Sequence, residues 1–438
     1  MILLLPTGRW FALLGTVSAL FILAFVRPEL GRVALAIDLL LVLLLLVDRW
    51  LGRKVALVAT RDMPPTLYQG ERTTISLDLE NHERRTLSVI LRETFSPALT
   101  EGALNRRARI GARECVRWSF ELIPRMRGET TLAPPALRVR GPLGLAWIPW
   151  HPEIRGKVKI FPQIHLTGDA GLVLRHALER RVGANPLSSR GISTELYALR
   201  EYLPGDEYRR IHWKESARLN RPITRENTWE QHQHILILLD CGRPMASLSG
   251  PYSKLDYAFS AVLALLRVIV AQQDSASLVL FSKDIRRVVR VDRRTRTFSQ
   301  VFEQLYQEQA DLEEPDYDAT TSWCARRIPR RSLAIVCTSI QDLLSADHLA
   351  GALDGLARRH RPLLVNLEDP GLVNHAHSIP HTLLDAYAKV SAMSLVAANQ
   401  RLTKRLRGRG IAVIATPASR LAIGMIQSYL DHKSRRLF

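Results

Sequence analysis

Four short apolar runs in the second half of the chain, three uninterrupted and one broken only by Asn366, constrain its fold more than any other feature. Ile235 to Leu239, Leu333 to Cys337, Leu363 to Leu367 and Ile411 to Ala415 each have the length of a strand, and Leu278 to Phe281 adds a fifth. Strands that are apolar on both faces must be covered on both faces, which is the condition of a parallel sheet wrapped by helices. Between the runs the apolar spacing is helical, over Lys254 to Gln272, Phe298 to Gln309, Ala346 to His360, Leu383 to Leu406 and Arg420 to Tyr429. Ile285 to Val291, interspersed with arginines, reads as an edge strand. The alternation predicts a Rossmann-like α/β domain over residues 235–438.

The N-terminus obeys a different rule. Two apolar runs, Trp10 to Val26 and Val33 to Val47, flank a polar turn from Arg27 to Arg32. They predict a transmembrane hairpin over residues 1–54, with helices at about 10–26 and 33–50. Each is near the lower limit of the roughly 17 to 25 residues that cross a bilayer. A cleaved leader is the rival reading, but no small-residue cleavage site follows the first run and a second apolar run comes directly after it. Arg49, Arg53, Lys54 and Arg61 after the second run outnumber Arg27 and Arg32 in the turn, which favours an inner-membrane protein with its soluble domains in the cytoplasm. Asp38 lies inside the second run, where an ionised carboxylate is costly, and is assigned no role.

From residue 55 to 166 the pattern becomes short alternating runs broken by Gly, Pro and Asn, as in Ile75 to Glu80 and Val116 to Leu122, predicting a β-sandwich-like domain. Residues 167–234 form a charge-rich connector. The four cysteines are scattered with no Cys-x-x-Cys pair, consistent with a reducing compartment. Lys and Arg outnumber Asp and Glu by 61 to 42, a formal charge of +19 that suits an anionic lipid surface. The basic clusters are dispersed and no nucleic-acid-binding motif accompanies them, so nucleic acid is not the expected partner.

The connector holds the most specific stretch, ELYALREYLPGDEYRRIHWKESAR from Glu195 to Arg218. Within it Leu199, Arg200, Tyr202, Gly205, Asp206, Arg209, Ile211, Trp213, Lys214, Ser216, Ala217 and Arg218 resemble the signature of the bacterial "domain of unknown function fifty-eight" family. Gly141-Pro142-Leu143-Gly144-Leu145 also resembles a turn of that family's sandwich. The resemblance implies a hairpin, a β-sandwich and a von Willebrand factor A-like domain. In such domains the first strand ends in Asp-x-Ser-x-Ser, which holds a divalent ion together with a Thr and an Asp from later loops.

Here Asp240 is kept, but Gly242 and Pro244 stand at the two serine positions. Thr320 or Thr321 and Ser339 are the remaining candidate ligands for Mg2+, too few hard oxygens for a good site. The expectation is therefore a degenerate metal-ion-dependent adhesion site without a cofactor, with Asp240 capping a neighbouring helix or pairing with a signature arginine. Asp206, Arg209, His212, Trp213, Lys214 and Arg218 bring acid, imidazole and amine close in sequence, yet no nucleophile stands in an elbow frame. Buried Arg–Asp bridges with a tryptophan on a guanidinium, or a partner contact, explain these residues without catalysis. His232 and His234 lack a third ligand and read as solvated, and no nucleotide-binding loop is present.

What the family resemblance implies is a non-enzymatic, membrane-tethered adaptor that works with a MoxR-type AAA+ ATPase, often beside a transglutaminase-like membrane protein. An envelope polymer- or protein-binding module and a hydrolase using Asp206 and His212 are the alternatives.

Overall fold

The computed structural model describes residues 5–23, 27, 29–99, 103–154, 156–162, 169–179, 198–203, 206, 208–226, 233–292, 298–328, 330–340 and 342–434. The chain divides into two compact units, Met1–Gln163 and Ile164–Phe438.

The first unit opens with a short strand, β1 (Leu5–Pro6), and two apolar helices, α1 (Gly8–Leu23) and α2 (Glu29–Leu51). One of them, α2, is long and apolar enough to cross a membrane, and α1 is shorter. The residues Glu29 to Arg32, expected in a turn, instead form the first turn of α2, where Glu29 meets the positive end of the helix dipole. Val17 of α1 packs against Ala34 and Leu41 of α2. Among the described residues, Asp38 Oδ1 has no hydrogen-bond partner.

Ten strands follow: β2 (Leu57–Asp62), β3 (Thr66–Tyr68), β4 (Thr73–Asn81), β5 (Leu87–Thr94), β6 (Ala103–Ile110), β7 (Cys115–Leu122), β8 (Gly128–Leu132), β9 (Ala136–Arg140), β10 (Ala146–Trp150) and β11 (Gly156–Phe161). They form sheets ordered β1-β10-β9-β5-β6, β2-β4-β7 and β3-β11-β8. Alternation puts Ile75, Leu77 and Leu79 of β4 and Leu87, Val89 and Leu91 of β5 into one shared core.

Both ends of the apolar pair fasten to the turn between β9 and β10. Thr7 donates its hydroxyl to Gly144 O at 2.8 Å and its amide to Leu145 O at 2.8 Å. Asp48, fully buried in the last turns of α2, accepts the backbone N–H groups of Leu143, Leu145 and Ala146 at 2.6, 2.7 and 2.8 Å. A Cβ on Gly141 would lie 2.4 Å from the Asp48 carboxylate, so only glycine admits this approach.

The second unit begins with α3 (Asp169–Glu179), then β12 (Ala198–Glu201), α4 (Trp213–Leu219) and β13 (Ile223–Glu226). The α/β portion runs β14 (His234–Asp240), α5 (Arg243–Ala246), β15 (Leu248–Ser249), β16 (Tyr252–Ser253), α6 (Lys254–Ala271), β17 (Ser275–Phe281) and β18 (Ile285–Val291). It continues through α7 (Ser299–Leu305), α8 (Tyr317–Arg327), β19 (Leu333–Thr338), α9 (Leu343–Ala357), β20 (Arg361–Glu368), α10 (Pro370–His377), α11 (Leu383–Gly408), β21 (Ala412–Pro417) and α12 (Leu421–Ser434).

Its main sheet is ordered β18-β17-β14-β19-β20-β21, parallel except for the antiparallel edge β18. Strand order therefore reverses direction between β14 and β19, the topological switch point where open α/β sheets leave a crevice at their carboxyl ends. Residues on alternate faces of β14 enter different cores: Ile235, Ile237 and Leu239 pack with α6 and α12, while Leu236 and Leu238 pack with α8, α9 and α11. The stretch expected to be a connector contributes to this core. Leu174 and Ala177 of α3 are buried against it, and Gln272 Nε2 donates to Ala177 O at 2.9 Å.

Candidate functional site

Two places gather the residues singled out in the sequence. The first is the signature segment, a small antiparallel ribbon of β12 and β13 with Leu199 opposite Arg225 and Arg200 opposite Thr224, enclosing a helical turn at Tyr208–Arg210 and then α4. His212 caps α4, its Nδ1 accepting the Glu215 N–H at 3.2 Å. Ser216 Oγ donates to His212 O at 3.0 Å and accepts from Ile223 N at 2.8 Å, tying α4 to β13. The Asp206 carboxylate accepts the Leu203 N–H at 3.0 Å and so closes its own turn. The Tyr202 and Tyr208 rings meet tilted at 52° with their centroids 5.7 Å apart.

The polar groups that suggested acid–base chemistry thus serve local folding, and the tryptophan does not fill the buried clamp expected of it. Trp213 is 66 % exposed and Tyr208 72 %. Arg209, Lys214 and Arg218 of the same segment are also exposed, with Arg218 Nε 3.6 Å from the Glu215 carboxylate. Gly205 and His232 lie outside the described residues, whereas His234 is half-buried rather than solvated, its ring nitrogens 3.0 and 3.2 Å from the Ser277 and Ser332 hydroxyls.

The second place is the switch-point crevice. Asp240 ends β14 fully buried, and Thr338 ends the neighbouring β19. Thr338 Oγ1 donates to Asp240 Oδ2 at 2.6 Å, Tyr317 of α8 donates to the same oxygen at 3.3 Å, and the Tyr317 and Thr338 hydroxyls are 2.9 Å apart. Gly242 N–H donates to Oδ1 at 2.7 Å. The partners of Asp240 are hydroxyls and an amide, neither a helix cap nor a signature arginine. Burial pushes its carboxyl up to about 6, although the three hydrogen bonds pull the other way, and burial next to Asp240 raises the Tyr317 phenol well above its ordinary value.

These residues do not fit a divalent ion. Both carboxylate oxygens are engaged, and Tyr317 stands over the one that faces Thr338. At position 242 a Cβ would meet Glu313 O at 2.8 Å and Asp240 Oδ1 at 3.1 Å, so the backbone itself excludes the serine that an Asp-x-Ser site needs. Ser339 Oγ donates to Leu367 O at 3.1 Å and accepts from the buried Lys254 Nζ at 3.0 Å, which places an ammonium beside it. Thr321 turns its hydroxyl back to Tyr317 O at 2.9 Å, and Thr320 is buried on the same helix. Among the described residues no three of His, Cys, Asp and Glu are grouped as metal ligands. The sequence hints at this closure through Gly242 and Pro244 alone; Tyr317, the stopper, arrives from 77 positions away.

The segment built around these two places is recognisable. Residues 198–374 match the family described as "Protein of unknown function DUF58". The DUF58 match covers the signature ribbon, α4 and the sheet from β14 to β20, so it contains both the exposed aromatic face and the closed crevice. Among curated proteins nothing matches this chain. Similar solved structures include the CARDB domain of PF1109 from Pyrococcus furiosus in solution, at 10 % identity over 24 % of this chain and 93 % of that one, with a TM-score of 0.17. A crystal structure of the same domain with di-metal ions gives 10 % identity, 24 % and 88 % coverage and a TM-score of 0.17. The alkylpurine DNA glycosylase AlkC of Pseudomonas fluorescens bound to DNA gives 14 % identity, 24 % and 30 % coverage and a TM-score of 0.14. Likenesses this slight carry no argument about fold or function.

Proposed function

We propose that this DUF58 chain is a membrane-anchored, non-enzymatic adaptor whose von Willebrand factor A-like sheet works with a MoxR-type AAA+ ATPase in assembling or remodelling envelope protein complexes. One observation carries the reading: Asp240, the carboxylate placed at the switch point, is fully buried and engaged by Thr338, Tyr317 and Gly242, while Trp213 and Tyr208 are left exposed. A carboxylate whose oxygens are both hydrogen-bonded within the protein has no part in catalysis or metal binding in this reading, and exposed aromatics in a segment rich in arginine and lysine have the composition of an interaction hot spot. The family resemblance supplies the identity of the partner. In this reading α1 and α2 form a hairpin with both ends on one side of the bilayer, held there by Thr7 and Asp48, and the soluble units lie in the cytoplasm.

Co-purification tests the proposal. The full chain in detergent or nanodiscs retains the MoxR-type ATPase under ATP or a non-hydrolysable analogue, and failure to retain it under either nucleotide contradicts the proposal. Turnover by the purified chain alone also contradicts it.

A further inference from the structure

Helix α11 covers the sheet with only one of its halves. Leu402 and Leu406 near its C-terminal end are buried in the core beneath β20 and β21, and Ala392 and Ala398 are buried along the same helix. Of its side chains only Leu402 and Leu406 belong to that core cluster, and α10 packs against α11. On this pair Ile379, Leu383, Leu384, Tyr387, Val390 and Met393 are 51 % to 78 % exposed. Leu383, Tyr387 and Val390 recur at i, i+4 and i+7, so they share one helix face, and Leu384 and Met393 flank them. No other part of the second unit concentrates exposed apolar side chains to this degree among the described residues.

The polar surroundings of the patch discriminate among occupants. Exposed His375, His377 and His381 and half-buried Lys389 border it, none of which carries negative charge. The carboxylate nearest the tip, Asp385, accepts the Thr382 N–H at 3.0 Å and the His381 N–H at 3.3 Å as part of a capping box. The other carboxylate of the pair, Asp369, caps the far end of α10 by accepting the Gly371 N–H at 2.8 Å. An apolar tip with an aromatic at its centre, whose one carboxylate is held by its own capping box and whose other bordering groups are histidines and a lysine, complements an anionic lipid surface, where tyrosine settles at the headgroup level. The chain brings such a surface within reach through α2 and carries a formal charge of +19.

We infer that the tip of the α10–α11 pair is a second, reversible membrane contact, inserting Leu383, Leu384 and Tyr387 into the interface of an anionic bilayer. The inference rests on the membrane anchoring proposed above. Contact of this kind holds the α/β unit against the bilayer rather than at the end of a loose tether.

The test uses the full chain with Cys115→Ser, which removes the exposed thiol and leaves three buried cysteines. An environment-sensitive fluorophore is attached at Leu384→Cys, or at Leu312→Cys as a control on an 81 % exposed leucine outside the tip. In phosphatidylglycerol-containing vesicles the label at 384 shifts its emission to shorter wavelength and becomes accessible to a quencher placed in the lipid, whereas the label at 312 does neither. An unchanged spectrum at 384, an equal shift at 312, or a shift that depends on protein concentration without lipid overturns the inference, the last pointing to a second copy instead. Alkaline carbonate extraction is scored separately. Release of the protein would refute the anchor, and the label at 384 would still decide the tip.

Discussion

Thr338 Oγ1 lies 2.6 Å from Asp240 Oδ2, a hydrogen bond that joins the ends of the two strands flanking the switch point. With Tyr317 bonded to both, three side chains from β14, β19 and α8 close the position where an open α/β sheet would otherwise receive a ligand.

Asp240 makes the stability of the α/β portion depend on pH in a direction that can be isolated. Its carboxyl is raised from 3.8 to about 6 in the folded state, so the folded chain binds the extra proton. The stabilising contribution of the protonated form is complete below the unfolded value and is lost as pH rises through about 6. Asp240→Asn cannot titrate. The stability of the variant relative to the natural chain therefore rises by on the order of 3 kcal/mol between pH 3.5 and 7.5, at about 1.4 kcal/mol for each tenfold change in proton affinity on folding. Denaturant midpoints of both proteins across that range check it, and a difference independent of pH would refute the assignment.

Two histidines at the opposite end of the sheet act with the reverse sign. Burial lowers both His234 and His360, and each is lowered further by neighbouring positive charge. The unfolded chain then binds more protons, so the stability they confer is present above about 6.5 and declines as pH falls below it. Neither ring nitrogen of the 1 % exposed His360 has a hydrogen-bond partner among the described residues. Replacement by an apolar residue of similar reach, His360→Leu, is expected to be neutral or stabilising at pH 7 and to flatten the decline, measurable by thermal unfolding at pH 5 and 7.

Gly242→Ser, which restores a residue of the expected metal motif, should destabilise rather than confer ion binding. The new Cβ meets backbone oxygen at 2.8 Å, and forcing atoms into a packed site costs roughly 1–3 kcal/mol. Calorimetric titration with Mg2+ should register no heat of binding for either protein, and a saturable signal would show that the crevice opens.

Asp48→Ala removes the acceptor of three backbone amides, two of them buried with it. Each buried donor left unpaired costs about 1–3 kcal/mol, so detachment of α2 from the sandwich is expected. Limited proteolysis in the turn between β9 and β10 should accelerate in the variant while the α/β unit resists as before.

The apolar runs at Ile235, Leu333 and Leu363, the last broken only by Asn366, made the parallel strands legible, because burial on both faces demands apolar residues at successive positions. Helix α8 was not legible. Tyr317–Arg327 is polar and charged, and only Tyr317, Thr320, Thr321 and Cys324 are buried along it. Nor was α3, whose apolar residues sit inside a stretch dominated by charge and loop formers. Asp206, Arg209, His212, Trp213, Lys214 and Arg218 were visible as a cluster, but whether such groups cap a helix or act on a substrate is decided by backbone positions that spacing does not report. The closure by Tyr317 and the docking by Asp48 depend on contacts 77 and 95 or more positions apart, which no local pattern encodes.

The exposed face of α4 is the proposed contact surface, and its affinity for the ATPase is the most direct measurement. With the full chain in nanodiscs and a labelled MoxR-type ATPase under a non-hydrolysable nucleotide, Trp213→Ala should weaken binding about tenfold or more, as removal of an aromatic anchor does. Asp240→Asn should leave it within about twofold, because a buried side chain inside a closed crevice touches no partner. Strong dependence on Asp240 with indifference to Trp213, or no measurable binding by the natural chain, would contradict the adaptor function.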